Sequence, residues 1–295
     1  MLRLLRLHVW AVLAIAGLSA RASEPVLRTW TVAGVAREAL VALPAAGTQP
    51  APTVFVFHGH GGSMRNVARS FALHTLWPEA LVVYPQGLAT PGKLTDPEGR
   101  RTGWQHNAGD QGDRDLAFVD TLVRSFRAEG LADPRRLYAT GHSNGGAFTY
   151  LLWSIRANTF AAFAPSAAAF GLPQASTAFR TPRPLLHFAS RNDPLVRFVW
   201  QERTLEGARQ ANQCESTAEP WLAEAAHATR YPSPVGAPVI VWVGSEGHSL
   251  PRAAPALMVR FFREQAATRS DNGPRTHAQP VGPVDPAPNP ASPSG

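Results

Sequence analysis

The sequence predicts an α/β protein in one domain of residues 23–267, a mainly parallel, doubly wound sheet with helices on both faces. Three observations carry that prediction. Short β-branched and aromatic runs alternate with longer stretches of helical period, the pattern that right-handed crossovers turn into a parallel sheet. The run Thr53-Val-Phe-Val-Phe57 is apolar beyond every second residue, as in strands covered on both faces. Between one such run and one such helix stands Gly141-His-Ser-Asn-Gly145.

In chain order, Met1-Leu-Arg-Leu-Leu-Arg6, an apolar run from Leu7 to Leu18 and then Ala20-Arg-Ala22 read as a secretory signal peptide cut after Ala22. The run is short for a bilayer span. Leu27–Val32 and Arg37–Leu43 form two strands around a turn at Gly34. Pro52–Phe57 is a buried strand ending at His58-Gly-His-Gly-Gly62, and Ser63 is the N-cap of a helix reaching about Leu76. Ala80–Tyr84 is a further strand. Pro85 to Asp113 is rich in Gly and Pro, and loops this long in compact domains are usually functional.

Asp113 or Asp115 opens a helix with Leu116, Val119, Leu122, Val123 and Phe126 on one face, stopped by Gly130. Leu137–Thr140 is the strand before the glycine-rich turn, and Ala147–Ile155 is the helix after it. Strands follow at Phe160–Ala164, Pro184–Ala189 and Val239–Val243, and a last helix at Ala254–Gln265. The segment 268–295 holds seven prolines and few large apolar residues, so it is expected to be a disordered tail.

The formal charge of +7 falls to +4 when Arg3, Arg6 and Arg21 leave with the leader, 25 basic against 21 acidic residues. The basic residues are dispersed, with no aromatic-interleaved cluster of the kind nucleic acid needs. A single cysteine, Cys214, cannot close an internal disulfide and reads as structural.

A G-x-S-x-G between strand and helix is the nucleophile elbow of α/β-hydrolases. Side chains at Gly141 or Gly145 are expected to collide with the neighbouring strand or helix, and the helix points its free amides at Ser143. A serine nucleophile needs a base and a group to orient it, in chain order Ser, acid, His. Asp193 is the one aspartate between Ser143 and the end of the last strand, just past Leu185-Leu-His-Phe-Ala189. Of the later histidines, His277 lies in the tail and His227 follows no strand, whereas His248 sits in the loop after Val239–Val243. His187, inside a strand, is expected to be packed. Two oxyanion donors are assigned to the amides of Asn144 and His60. Trp104, with His142, is expected to line the substrate pocket. His58 and His60 lack a third ligand nearby, so no metal and no cofactor is expected.

Phe57-His-Gly-His-Gly-Gly62, Tyr84-Pro-Gln-Gly87, Gly103-Trp104, Asp115-Leu-Ala-Phe-Val-Asp-Thr-Leu-Val123, Asp133-Pro-Arg-Arg-Leu-Tyr-Ala-Thr-Gly-His-Ser-Asn-Gly-Gly146, Leu186-His-Phe-Ala-Ser-Arg-Asn-Asp-Pro-Leu-Val196 and Gly247-His248 together resemble the polyhydroxybutyrate depolymerase and feruloyl esterase group, carbohydrate esterase family 1-like and including LpqC-type proteins. The resemblance covers about residues 28 to 265. It implies an α/β-hydrolase fold and a metal-free serine esterase with Ser143, Asp193 and His248 as triad. The chain departs from the group at Phe188-Ala-Ser-Arg191, where a His-Gly pair is usual, and around Glu246-Gly-His-Ser-Leu-Pro251, where relatives often carry a glycine pair before the base and a tryptophan after it.

The resulting expectation is a secreted or periplasmic hydrolase of small-molecule or oligomeric esters, without a membrane span once the leader is cut. A serine peptidase and a non-catalytic polymer or carbohydrate binder on the same fold remain the alternatives.

Overall fold

The computed structural model describes residues 23–171 and 178–270; the expected leader and residues 271–295 of the expected tail lie outside them. Twelve strands and six α-helices are present among the described residues. β1 (Val26–Val32) and β2 (Val35–Ala42) form the expected hairpin. Its turn residues Ala33 and Gly34 both have positive φ, 47° and 80°, as the twist of a two-residue hairpin turn requires.

The strands that carry the sheet are β3 (Ala51–Phe57), β4 (Leu81–Pro85), β7 (Ala132–His142), β8 (Ala162–Ser166), β9 (Leu185–Ser190) and β12 (Val239–Gly244). A two-stranded ribbon, β5 (Leu88–Ala89) and β6 (Thr102–Gly103), organises the long loop after β4. β10 (Glu219–Pro220) and β11 (Ala228–Tyr231) complete an edge. The order in the ten-stranded sheet is β1-β2-β4-β3-β7-β8-β9-β12-β11-β10. From β4 to β12 every pairing is parallel, and the strands at both edges run antiparallel.

Helices α1 (Met64–Phe71), α2 (Leu73–Leu76) and α6 (Ala254–Ser270) cover one face; α3 (Arg114–Ala128), α4 (Asn144–Arg156) and α5 (Phe198–Ala211) cover the other. β3 shows how one strand feeds both layers. Phe55 and Phe57 enter the core under α3 and α4, while Val54 and Val56 enter the core under α1 and α6; all four are 0% exposed. Each such side chain contributes roughly 1.5–3 kcal/mol, which is why the run is apolar throughout.

The structure departs from the sequence reading in several elements. The helix from Ser63 is capped as expected, Ser63 Oγ accepting from the Asn66 amide at 3.2 Å, but it breaks at Ala72, whose φ is +46°. Asp113 stands at the N-cap position of α3, as expected, but its side chain makes no capping bond: Oδ1 is taken by Gln105 Nε2 and the Gly109 amide, while Asp115, in the first turn, is buried in an ion pair with Arg37 at 2.8 Å. The elbow strand β7 extends both ways from Leu137–Thr140, and α6 runs past residue 267 to Ser270. Helix α5 and the strands β10 and β11 were not expected. Cys214 is half-buried and free, its thiol pushed up by burial.

Candidate active site

Everything that positions the site follows from where β7 ends. β7 lies near the middle of the sheet, and its last residue, His142, leads directly into Ser143 and α4. Ser143 has φ 56° and ψ −120°, a region costly for a residue with a Cβ. The surroundings hold it there. A Cβ on Gly145 would stand 2.3 Å from the Phe57 carbonyl oxygen, and one on Gly141 2.5 Å from the Gly145 carbonyl. Strand and helix therefore approach as closely as glycine permits, and the collision read from the sequence is the observed reason for both glycines.

Asp193 and His248 meet Ser143 at the carboxyl ends of β9 and β12. His248 Nε2 lies 2.8 Å from Ser143 Oγ, and its Nδ1 lies 2.8 Å from Asp193 Oδ2 and 3.0 Å from Oδ1. With Nδ1–H donating to the carboxylate, Nε2 carries the lone pair that faces the hydroxyl. Asp193 is 5% exposed and fixed by its own loop: the Leu195 and Val196 amides donate to Oδ1 at 2.9 Å. Ser190 ties the two loops together, its Oγ accepting from the Gly247 amide at 3.0 Å. Ser190, within the stretch Phe188–Arg191 where the chain departs from the resembled group, thus supplies a bond next to His248.

Behind Asp193 runs a buried polar chain. Gln201 Nε2 donates to the Val196 carbonyl at 2.7 Å and reaches Asp193 Oδ2 at 3.4 Å. Its Oε1 must then accept from His187 Nε2–H, 2.9 Å away, leaving His187 Nδ1 to accept from the Tyr150 hydroxyl at 2.8 Å. Tyr150, His187 and Gln201 are fully buried, and burial lowers His187 to about 4, so its ring is neutral and the direction of every bond is set. His187 is packed, as expected, yet the acid rests on it through Gln201. Gln201→Met is expected to lower kcat about tenfold through loss of a hydrogen bond to a charged group, with KM nearly unchanged, in steady-state kinetics on a chromogenic ester.

The loop His58-Gly-His-Gly-Gly62 passes beside the serine: a Cβ on Gly59 would be 3.5 Å from Ser143 Cβ. The Gly61 and Gly62 amides are committed to the Thr102 and Gly59 carbonyls, whereas the His60 amide has no partner among the described residues. His58 is an internal strut, 2% exposed; its Nε2 accepts from the Gly87 amide at 2.9 Å, its Nδ1–H donates to the Gly59 carbonyl, and burial lowers its pKa to about 4. His60 Nε2–H donates to Asp96 at 3.0 Å. Among the described residues no group of three or more His, Cys, Asp or Glu could hold a metal.

Trp104 is a correction. It does not line the cavity; it is fully buried beneath it, stacked on Phe148 and edge-on to Phe57, with Nε1 donating to the His58 carbonyl at 2.9 Å. Its main chain exchanges two bonds with the Asn144 side chain, the amide donating to Oδ1 at 2.7 Å and the carbonyl accepting from Nδ2 at 3.0 Å. The glycine-rich context of the tryptophan suggested an open loop, while its partners lie far apart in sequence. His142 does border the cavity, its ring 5.0 Å from that of His248. Burial and then the neighbouring His248 lower its pKa to about 4. The cavity has a volume of about 580 Å³. Phe170, Leu195 and Trp200 line it; Phe170 and Trp200 carried no motif, and Leu195 lay in the stretch around Asp193 without a role of its own.

A mainly parallel sheet with a serine elbow at its centre defines the α/β-hydrolase fold, and comparison with solved structures agrees. An acetyl xylan esterase from Aspergillus awamori superimposes with a TM-score of 0.61 at 13% identity, covering 81% of this chain and 99% of that one. No family model matches the chain. In sequence it is similar to a protein named probable feruloyl esterase C from Aspergillus clavatus, 33% identical over 109 residues, 37% of each chain. It is also similar to a bifunctional acetylxylan esterase/xylanase from Neocallimastix patriciarum, 33% identical over 111 residues. The match spans 37% of this chain and 16% of that protein, so this chain covers well under two thirds of either relative.

Proposed function

We propose that this protein is an exported serine hydrolase of carboxylic esters, of the feruloyl or acetylxylan esterase kind. The observation that carries the proposal is the unbroken chain Ser143–His248–Asp193, 2.8 Å at each closest step, beside a partly open cavity. In this reading His248 Nε2 takes the Ser143 proton as Oγ attacks the ester carbonyl carbon, and Asp193 stabilises the imidazolium. The amides of Asn144 and His60 receive the oxyanion; one such donor is worth about 3 kcal/mol of barrier. When the tetrahedral intermediate collapses, His248 returns the proton to the departing alcohol. Water, deprotonated by the same nitrogen, then releases the acid from Ser143.

The relatives named for esterases support the ester as scissile bond, and the basic-apolar-Ala-x-Ala start of the chain supports export. No helix among the described residues is long and apolar enough to cross a membrane. The test is turnover of short-chain nitrophenyl esters, methyl ferulate, acetylated xylan and hydroxybutyrate oligomers, set beside chromogenic peptides. Ester turnover with none on peptides is expected; the reverse would replace the esterase by a peptidase.

A further inference from the structure

We propose that the cavity selects esters bearing an anionic group, such as a carboxylate, on one side of the scissile bond and an apolar group on the other. The inference rests on the ester-hydrolase reading above and adds the substrate class to it. Its basis is the strand order. Ser143 ends β7, with β3 and β4 on one side and β8 and β9 on the other. The segments after β8 and β9 supply Phe170, Leu195 and Trp200, an apolar wall. The loop after β4 supplies Lys93 and Arg101.

Lys93 is the chain's only lysine, and it lines this cavity. Neither its ammonium nor the Arg101 guanidinium has a hydrogen-bond or ion-pair partner among the described residues. The Arg101 side chain lies over the oxyanion loop, 3.2 Å from where a Gly61 Cβ would be. Among the described residues no Asp or Glu lines the cavity. Carboxylates bonded to lining residues have partners of their own: Asp96 accepts from His60 Nε2 and from the Arg100 and Arg101 amides, and Asp110 accepts from the Asn107 amide and Nδ2. Their charge offsets part of the cationic field, but the groups left to meet a ligand are both positive. Burial and then Lys93 lower His106, another lining residue. Charges act more strongly in such partly water-excluded space than on an open surface.

The test compares matched esters that differ by one carboxylate. One pair carries it on the acyl side, 4-nitrophenyl hexanoate against mono(4-nitrophenyl) adipate; the other on the alcohol side, phenyl butyrate against 3-carboxyphenyl butyrate. At low ionic strength one of the two pairs should favour its anionic member about tenfold in kcat/KM. That ratio should collapse in 1 M NaCl and in a Lys93→Met/Arg101→Met double variant, and persist in Lys93→Arg. The salt titration on the wild-type protein keeps the test decisive should the double variant not fold. Equal turnover within both pairs, or a preference that survives salt, overturns the inference while leaving the esterase reading intact. No turnover of any ester, with Ser143 unlabelled by a fluorophosphonate, overturns both.

Discussion

Replacing Ser143 by alanine is expected to lower ester turnover by about a millionfold, the scale on which losing the nucleophile of a serine–histidine unit acts. The two side chains share a Cβ, and the strained backbone at this position, φ 56° and ψ −120°, is imposed by the contacts of Gly141 and Gly145 rather than by the hydroxyl. The fold should therefore be retained, with an unchanged circular dichroism spectrum and melting midpoint, while fluorophosphonate labelling disappears. Asp193→Asn should cost about ten-thousandfold by another route. An amide presents an N–H to His248 Nδ1, favouring the tautomer whose Nε2–H faces Ser143 Oγ, so the base has no lone pair to offer. Undiminished turnover in the Ser143→Ala protein would falsify the assignment of the nucleophile.

These side chains stand at 143, 193 and 248 in the sequence and yet were legible there, because the fold fixes their relation. Each follows a strand, and in a parallel sheet the ends of neighbouring strands lie together. The elbow glycines were legible for a related reason, since backbone contact leaves no room for a side chain. What could not be read depends on contacts between distant segments. Trp104 sits in a stretch that reads as open loop, yet its partners are Phe57, His58, Asn144 and Phe148, none nearer than 40 residues in sequence. Asp115 reads locally as a residue at the start of a helix, which it is, but its burial beside Arg37, 78 residues away, has no local signature. Gln201 lies on α5, which opens without a side-chain cap or an acidic first turn, so the support behind Asp193 has no local signature. The cavity walls escaped for the same reason: Phe170 and Trp200 belong to no motif, and nothing local in the stretch around Asp193 marks Leu195 as lining a pocket.

The second large effect is a loss of stability in acid, between about pH 6.5 and pH 4. His58, His142 and His187 are each lowered from 6.5 to about 4, with burial as the first cause. The folded protein keeps these rings neutral in that window, whereas the unfolded chain protonates them once the pH drops below about 6.5. The unfolded state thus binds more protons, and stability falls as the pH falls. The contribution is fully present above pH 6.5 and is lost as the pH drops through the folded value near 4. His58 and His187, 2% and 0% exposed, each account for roughly 3 kcal/mol at 1.36 kcal/mol per unit; His142, which borders the cavity, accounts for less. That sum approaches the whole stability of an ordinary domain. Melting midpoints measured from pH 7.5 to 4 should be level at first and then drop steeply. The slope should correspond to as many as three protons, and to one fewer in a His187→Gln variant, where the ring that titrates is gone. A midpoint that stays level down to pH 4.5 would mean that the buried rings are already charged in the fold. In that case the direction of the bonds from Tyr150 through His187 and Gln201 to Asp193, which requires a neutral ring, would be wrong as well.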